Sequence, residues 1–447
     1  MNRNIIVKNI CLCGIAIGLA SCSNTKNAKS TSHNSIKTHN VEAQTKKNIK
    51  VSKLKETNSI NVKDAKVILA RPTKPSIKKA RRVAKTKQYK PRVRVQNRFR
   101  PVNRRITRQN YVAPVKHIKY AKLSGDYADN SQTRAFINMM ASKHGFDKGY
   151  LNYLFSNTQA TPFLKRMAYS DANPSKRIRK GPRRSGRWTR YRGNFLTEKT
   201  INKGVQFWRQ NRVALKRAEE QFGVPQEYIL GIIGVETRYG GNVGKNRAID
   251  ALAAMGFDNA RRGKYFRSEL ESYLLMTRSA RLDPLKPMAS YAGALGLCQF
   301  MPSNIKRYAV DHDRSGSVNL WTSGDAIGSV ANYFKKHGWR SGGTVAVKAN
   351  SVNSRYKTLK TGFKSSHSLA RLRSKGVSAN NLGNISGKAS LIKLNTYSGD
   401  ELWLGGHNFY VITRYNHSSH YAMAVHQLAQ AIKGRIGSRG LLRQASR

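Results

Sequence analysis

YILGIIGVETRYG (228–240) is the stretch on which the reading of this chain turns. An apolar run, YILGIIGV (228–235), ends on a single carboxylate, Glu236. A carboxyl group in apolar surroundings loses solvation in its charged form, so its pKa rises. That is how a protein keeps a general acid protonated near neutral pH. Pro225 suits the first position of a helix that carries Glu236 near its C-terminus, and Gly240 and Gly241 end it. A second run, SYAGALGLCQFMPS (290–303), is rich in small residues and sets an amide, Gln299, between apolar neighbours. Together the two runs suggest a sugar-polymer cleft served by one catalytic acid.

Helical spacing surrounds this centre. TRAFINMMASKH (133–144), 147–154 and 161–167 are expected helical pieces, and 197–222 is a long amphipathic helix or helix pair ended by Gly223. Helices are also expected at 250–255, 261–278 and 324–337, with YAMAVHQLAQAI (421–432) as the closing one. RWTRYRGNF (187–195) reads as a loop with aromatic anchors. Between 341 and 405 short alternating runs such as TVAVKA and SLIKLNTY stand between Gly, Asn and Ser, which predicts a small inserted β or mixed subdomain. FYVITRYN (409–416) reads as an extended return. The expected class is α+β, mainly helical, over 129–433, followed by a basic tail at 434–447.

The N-terminal part is of another kind. Residues 23–119 hold 28 Lys and Arg against three acids and are interrupted by prolines. Such a segment buries too little apolar surface to offset its ordering entropy. A disordered tether over 22–128 is expected. Ahead of it, Arg3 and Lys8 flank a short apolar segment, and Leu19-Ala20-Ser21-Cys22 has the form of a bacterial lipobox. This predicts a signal peptide at 1–21 and a lipidated Cys22, too short a segment for a membrane-spanning helix. With Ser23 and no Asp after the Cys, the expected place is the outer membrane, facing the periplasm. Once Cys11 and Cys13 leave with the signal, Cys298 is the remaining thiol, which leaves no disulfide and no cysteine metal site. The formal charge of +61, from 83 Lys and Arg against 22 Asp and Glu, calls for an anionic partner. The lipobox directs that away from nucleic acid.

Four separated blocks carry a resemblance: GVPQEYILGIIGVETRYG, SYAGALGLCQFMPS, NLWTSGDAIGSVANYFKKHGW and NFYVITRYNHSSHYAMAVHQLA. In this order they resemble the membrane-bound lytic murein transglycosylase B family over about 300 residues. The resemblance implies a lysozyme-like core, no required cofactor and a monomer acting on peptidoglycan glycan strands. It implies cleavage of the β-1,4 bond from N-acetylmuramic acid to N-acetylglucosamine with a 1,6-anhydromuramoyl product. Most glycosidases need two carboxylates. Here Glu236 would protonate the leaving oxygen and then take the proton from the C6 hydroxyl as it attacks C1, an intramolecular step of high effective molarity. By the same resemblance Ser290 and Gln299 would bind substrate or orient Glu236. Tyr191, Tyr333, Tyr415 and Tyr421 would stack on sugars or position the carbonyl, and Asn416 would bind an acetamido group. Asp250, the next acid downstream, reads as a helix cap or buried polar support.

DHDRSGSVNLWTSGD (311–325) sets oxygen donors at Asp311, Asp313, Ser315, the Ser317 carbonyl and Asp325, an EF-hand-like pattern stretched to fifteen residues. Enzymes it resembles bind calcium here. With three carboxylates the Ca²⁺ affinity would be weak, and an ion-free turn fits the same residues. Two other functions stand beside the lead: a hydrolase on the same core, and an inactive peptidoglycan-binding protein.

Overall fold

The computed structural model describes residues 122–174 and 185–445. The signal peptide, Cys22, the tether up to 121 and residues 446–447 lie outside the described residues. Residues ahead of Asp129, the expected start of the catalytic region, pack against it. Tyr127 is buried edge-on to Phe257 with ring centroids 5.4 Å apart, and Asp126 accepts from the Ala160 amide at 2.8 Å. A lone aromatic anchor has no periodicity, so no sequence pattern announces it.

The elements run α1 (Ser131–His144), α2 (Lys148–Ser156), α3 (Pro162–Ala172), α4 (Arg187–Arg192), α5 (Glu198–Gln210), α6 (Arg212–Phe222) and α7 (Gln226–Thr237). Then come β1 (Asn246–Arg247), α8 (Ala248–Phe257), α9 (Gly263–Ser279), β2 (Met288–Ala289), α10 (Pro302–Tyr308) and α11 (Ser323–Lys336). The last are β3 (Ala346–Ser351), β4 (His367–Ser368), α12 (Leu369–Ser374), β5 (Val377–Ser378), β6 (Lys388–Thr396), β7 (Gly399–Gly405), α13 (His407–Tyr415) and α14 (Ser419–Ala445). Side-chain caps set several starts: Asn130 accepts from the Gln132 and Thr133 amides, Asp147 from Tyr150 and Thr197 from Thr200.

Two helical cores result. Helices α5, α6, α7, α11, α13 and α14 share one, and α1, α2, α8 and α9 another. Helix α7 is buried almost all round, as a run without a polar face must be. Its glycines let α14 come close: a methyl group at Gly231 would stand 2.8 Å from the Val425 carbonyl oxygen, and one at Gly234 2.8 Å from Leu428. The five-stranded sheet has the order β4-β6-β7-β3-β5, with β6 and β7 paired antiparallel from Ser390↔Gly405 to Thr396↔Gly399. One sheet face sends Ile392 and Leu394 into the first helical core. The other, with Leu391, Leu402 and Leu404, is covered by α12 and the 3-10 turn Ser354–Thr358.

Two local expectations are corrected. The 409–416 run is not extended but forms α13, because Phe409, Val411 and Ile412 all bury against the first core and tertiary packing overrides β propensity. The 187–195 run is not a bare loop, since α4 forms there around the buried Trp188. The alternative left open at 197–222 resolves into the pair α5 and α6, broken at Asn211.

Candidate active site

Glu236 sits in the last turn of α7, partly accessible, where the negative end of the helix dipole also opposes ionisation. Burial pushes its carboxyl up to about 7, against a hydrogen bond from Tyr421 that pulls it down. The Tyr421 phenol donates to Glu236 Oε1 at 2.5 Å. Among the described residues, burial and Tyr421 are what move the Glu236 pKa, and no second carboxylate does. After the helix, Arg238 and Tyr239 both take left-handed backbone conformations (φ 51° and 61°), an unusual pair for residues with side chains. Thr237 fixes this end. Its hydroxyl donates toward the Leu297 carbonyl at 3.2 Å and accepts from the Gly240 amide at 3.1 Å. That ties α7 to the 290–303 run.

The run itself is a tight double turn. The Ser290 amide donates to the Ala294 carbonyl at 3.0 Å, the Ser290 carbonyl accepts from the Gly293 amide at 2.9 Å, and the Ser290 hydroxyl accepts from the Ala294 amide at 3.1 Å. Gln299, at φ 53°, donates its side-chain amide to the Gly296 carbonyl at 2.9 Å and the Val243 carbonyl at 3.3 Å. It thereby pins this run to the loop that follows α7. Cys298 is fully buried, a packed thiol whose pKa burial and the nearby Glu236 charge push up. Its carbonyl accepts from the Tyr415 hydroxyl at 2.7 Å.

Three of the four tyrosines pack in series toward Glu236, with Tyr421 bonded to it. Tyr415 lies parallel to Tyr421 with centroids 6.5 Å apart, and Tyr333 is 4.7 Å from Tyr415. Burial pushes both the Tyr421 and Tyr415 phenols well up, followed by the Glu236 charge at Tyr421 and by Cys298 and then Glu236 at Tyr415. Tyr333 and Tyr421 are almost wholly buried. Tyr333 donates to the Arg414 carbonyl at 2.7 Å and holds the end of α13. Tyr191 is partly exposed and packs with His420, Phe195 and Trp188. Asn416 ends α13 beside Tyr415. Sequence reasoning missed Thr237, Trp188 and His420. The His420 ring stacks on Trp188 at 5.6 Å immediately before Tyr421, and nothing in the residue order signals that contact.

Asp250 accepts from Arg247 at 2.7 Å and from the Gln159 amide at 2.9 Å, a buried support on α8. In the 311–325 loop, carboxylate oxygens of Asp311, Asp313 and Asp325 lie within 4.8 Å of one another, a donor set that fits a hard cation. Asp325 is fully buried and accepts from the backbone amides of His312, Asp313 and Asn319. Burial opposes ionisation of Asp311, yet the amides of Gly316 and Ser315 hold its carboxyl below the usual range. The Ser315 hydroxyl donates to the Ser317 carbonyl at 3.0 Å, so these two expected ligands face each other.

Comparison with known proteins supplies the context. The family model for the transglycosylase SLT domain matches residues 128–430. The membrane-bound lytic murein transglycosylase B of Escherichia coli (strain K12) is 46% identical over 312 residues, 70% of this chain and 85% of that protein. The solved structure of the Escherichia coli lytic transglycosylase Slt35 in complex with calcium matches at TM-score 0.65 and 45% identity, covering 72% of this chain and 98% of that one. SltB3 from Pseudomonas aeruginosa in complex with NAG-anhNAM-pentapeptide matches at TM-score 0.58 and 26% identity, over 68% and 79% of the two chains.

Proposed function

This chain belongs to the transglycosylase SLT domain family, and from that premise we propose that it is a peptidoglycan lytic transglycosylase with Glu236 as its single acid and base. The observation that carries this reading is the isolated carboxyl of Glu236, held up to about 7 by burial and joined to Tyr421. A protonated Glu236 gives its proton to the glycosidic oxygen between N-acetylmuramic acid and N-acetylglucosamine. The resulting carboxylate, steadied by the Tyr421 hydroxyl, accepts the proton of the C6 hydroxyl as that oxygen closes on C1. The product is a 1,6-anhydromuramoyl end. The Tyr415–Cys298 and Thr237–Leu297 bonds hold the acid and the 290–303 run in one geometry.

Ser290, Gln299, Asn416 and Tyr191 line the substrate side in this reading, while Tyr333 supports Tyr415 from behind. Asp311, Asp313 and Asp325 would hold a calcium ion that braces the start of α11, a role supported by the calcium complex of Slt35. The membrane-bound relative supports membrane association. We place the anchor at a lipidated Cys22 on the periplasmic face of the outer membrane, with the monomeric enzyme serving wall remodelling and turnover.

Mass spectrometry of the muropeptides released from purified peptidoglycan tests the chemistry. Products lighter than hydrolysed ends by one water, and absent with Glu236→Gln, are expected. Hydrolysed ends would replace the intramolecular step with a bound water. Absence of any product from the parent chain would leave only a wall-binding role.

A further inference from the structure

Between Asp325 and Asp400 the chain has no acidic residue, while it carries 13 Lys and Arg. The fold gathers a share of these cations into one layer. The 3-10 turn Ser354–Thr358 and α12 pack Leu359 and Leu372 onto the sheet face that carries Leu391, Leu402 and Leu404, the face turned away from the helical core. Their outer sides present Arg355, Lys357, Lys360, Arg371 and Arg373, all exposed. Among the described residues no carboxylate pairs with any of these five; the sheet's ion pair is Lys393 with Asp400, at the hairpin end. Unpaired like charges on one side of a small subdomain repel one another, and an anionic partner relieves that.

The layer also reaches the cleft. Phe363, three residues after Lys360, donates its amide to the Ser419 hydroxyl at 3.0 Å. Ser419 opens α14 two residues ahead of Tyr421. The Arg414 guanidinium lies 5.8 Å from the Phe363 ring centre, and His417 stacks on that ring at 6.4 Å. Phe363 thus links the segment that ends the cationic turn to the start of α14, the helix that carries Tyr421.

We propose that this acid-free layer binds the carboxylates of the peptide stems carried by a glycan strand whose sugars occupy the cleft. The proposal rests on the transglycosylase reading of that cleft. The sugars are neutral at the scissile bond, so the stems are the part of the substrate that charge can hold. Exposed pairs of this kind add affinity more than rate and weaken with salt.

The test compares the full chain with its Arg371→Glu/Arg373→Glu variant on two polymers: intact peptidoglycan, and glycan strands from which an amidase has removed the stems. On intact peptidoglycan at low salt the KM is expected to rise on the order of tenfold with kcat kept, and added salt should erase the difference. On stripped strands the two proteins should match. Equal losses on both polymers, or no loss on either, would overturn the proposal. So would a loss of binding confined to vesicles of anionic phospholipid, which would make the layer a membrane contact. Glu236→Gln versions of both chains, sedimented with each polymer, read binding without turnover. They decide this proposal even where an inactive parent has already struck down the catalytic reading.

Discussion

The Tyr421 phenol and the Glu236 carboxyl, 2.5 Å apart, join the first turn of α14 to the last turn of α7. The bond spans 185 positions of sequence and joins two helices that the glycines of α7 bring close together. It holds the acid at a set angle and lowers a pKa that burial raises. Tyr421→Phe should therefore cut kcat on the order of tenfold. It should also move the alkaline limb of the pH profile upward, because Glu236 loses the donor that favours its charged form. A pH series of kcat/KM for both proteins checks this. A limb that stays in place would mean that the bond leaves the acid's titration untouched.

Stability should carry the same signature. The folded-state pKa of Glu236, about 7, lies above its ordinary 4.5. The native state therefore holds this proton more tightly than the unfolded chain does. Stability is lost as pH rises from the ordinary carboxyl value through the folded one. Glu236→Gln has no charge to bury and escapes that loss. The variant should be the more stable protein near about pH 8, by on the order of 3 kcal/mol, and the gap should close near about pH 4. Urea midpoints at the two pH values measure it.

How much of this was legible beforehand differs by element. Helix α7 and the apolar setting of Glu236 could be read because an apolar run ending in one carboxylate leaves little choice of environment. The sheet showed through its alternation at Thr344 to Ala349 and in β6. Helix α13 did not, because β-branched and aromatic residues favour strands until a core absorbs them on one helical side. Within the site, the sequence could name Tyr333 but not its direction. Whether a tyrosine shows a ring face or buries it depends on Tyr308, His337 and Tyr415, which arrive from elsewhere in the chain. Thr237 stayed unread because its partners, Leu297 and Gly240, become neighbours only when α7 ends in two left-handed residues.

In the 311–325 loop, Asp325 is buried and bound to backbone amides, while Asp313 is exposed. Asp325 satisfies three backbone amides. Asp325→Ala should lower Tm even in EDTA, since buried donors left unmet cost about 1–3 kcal/mol each. Asp313 is exposed, and the bond that it accepts from the Ser315 amide at 3.1 Å survives in an asparagine. Asp313→Asn should leave the Tm in EDTA close to the parent's and remove most of the rise that Ca²⁺ gives the parent, because it deletes one charge from the donor set. Melting curves in Ca²⁺ and in EDTA settle both. A parent whose Tm ignores Ca²⁺ would make the loop a plain turn.

Gly231 offers the means to move the acid's partner without touching either residue. It lies on α7 one and a half turns before Glu236, against α14. A methyl group there would stand 2.8 Å from the Val425 carbonyl oxygen and 3.2 Å from a Val425 methyl carbon. Backbone cannot yield as a flexible side chain does, so Gly231→Ala must push α14 away from α7. Overpacking of this kind costs about 1–3 kcal/mol. The same displacement lengthens the Tyr421–Glu236 bond, so kcat should fall with stability. Ala429→Gly, which removes the other methyl facing Gly231 at 3.4 Å, should lower stability without recovering kcat in the double variant, because the obstruction is the Val425 carbonyl. If Gly231→Ala loses stability but keeps kcat and the parent's pH profile, the α7–α14 spacing does not set the acid's geometry. Tyr421 would then reach Glu236 across a range of helix separations.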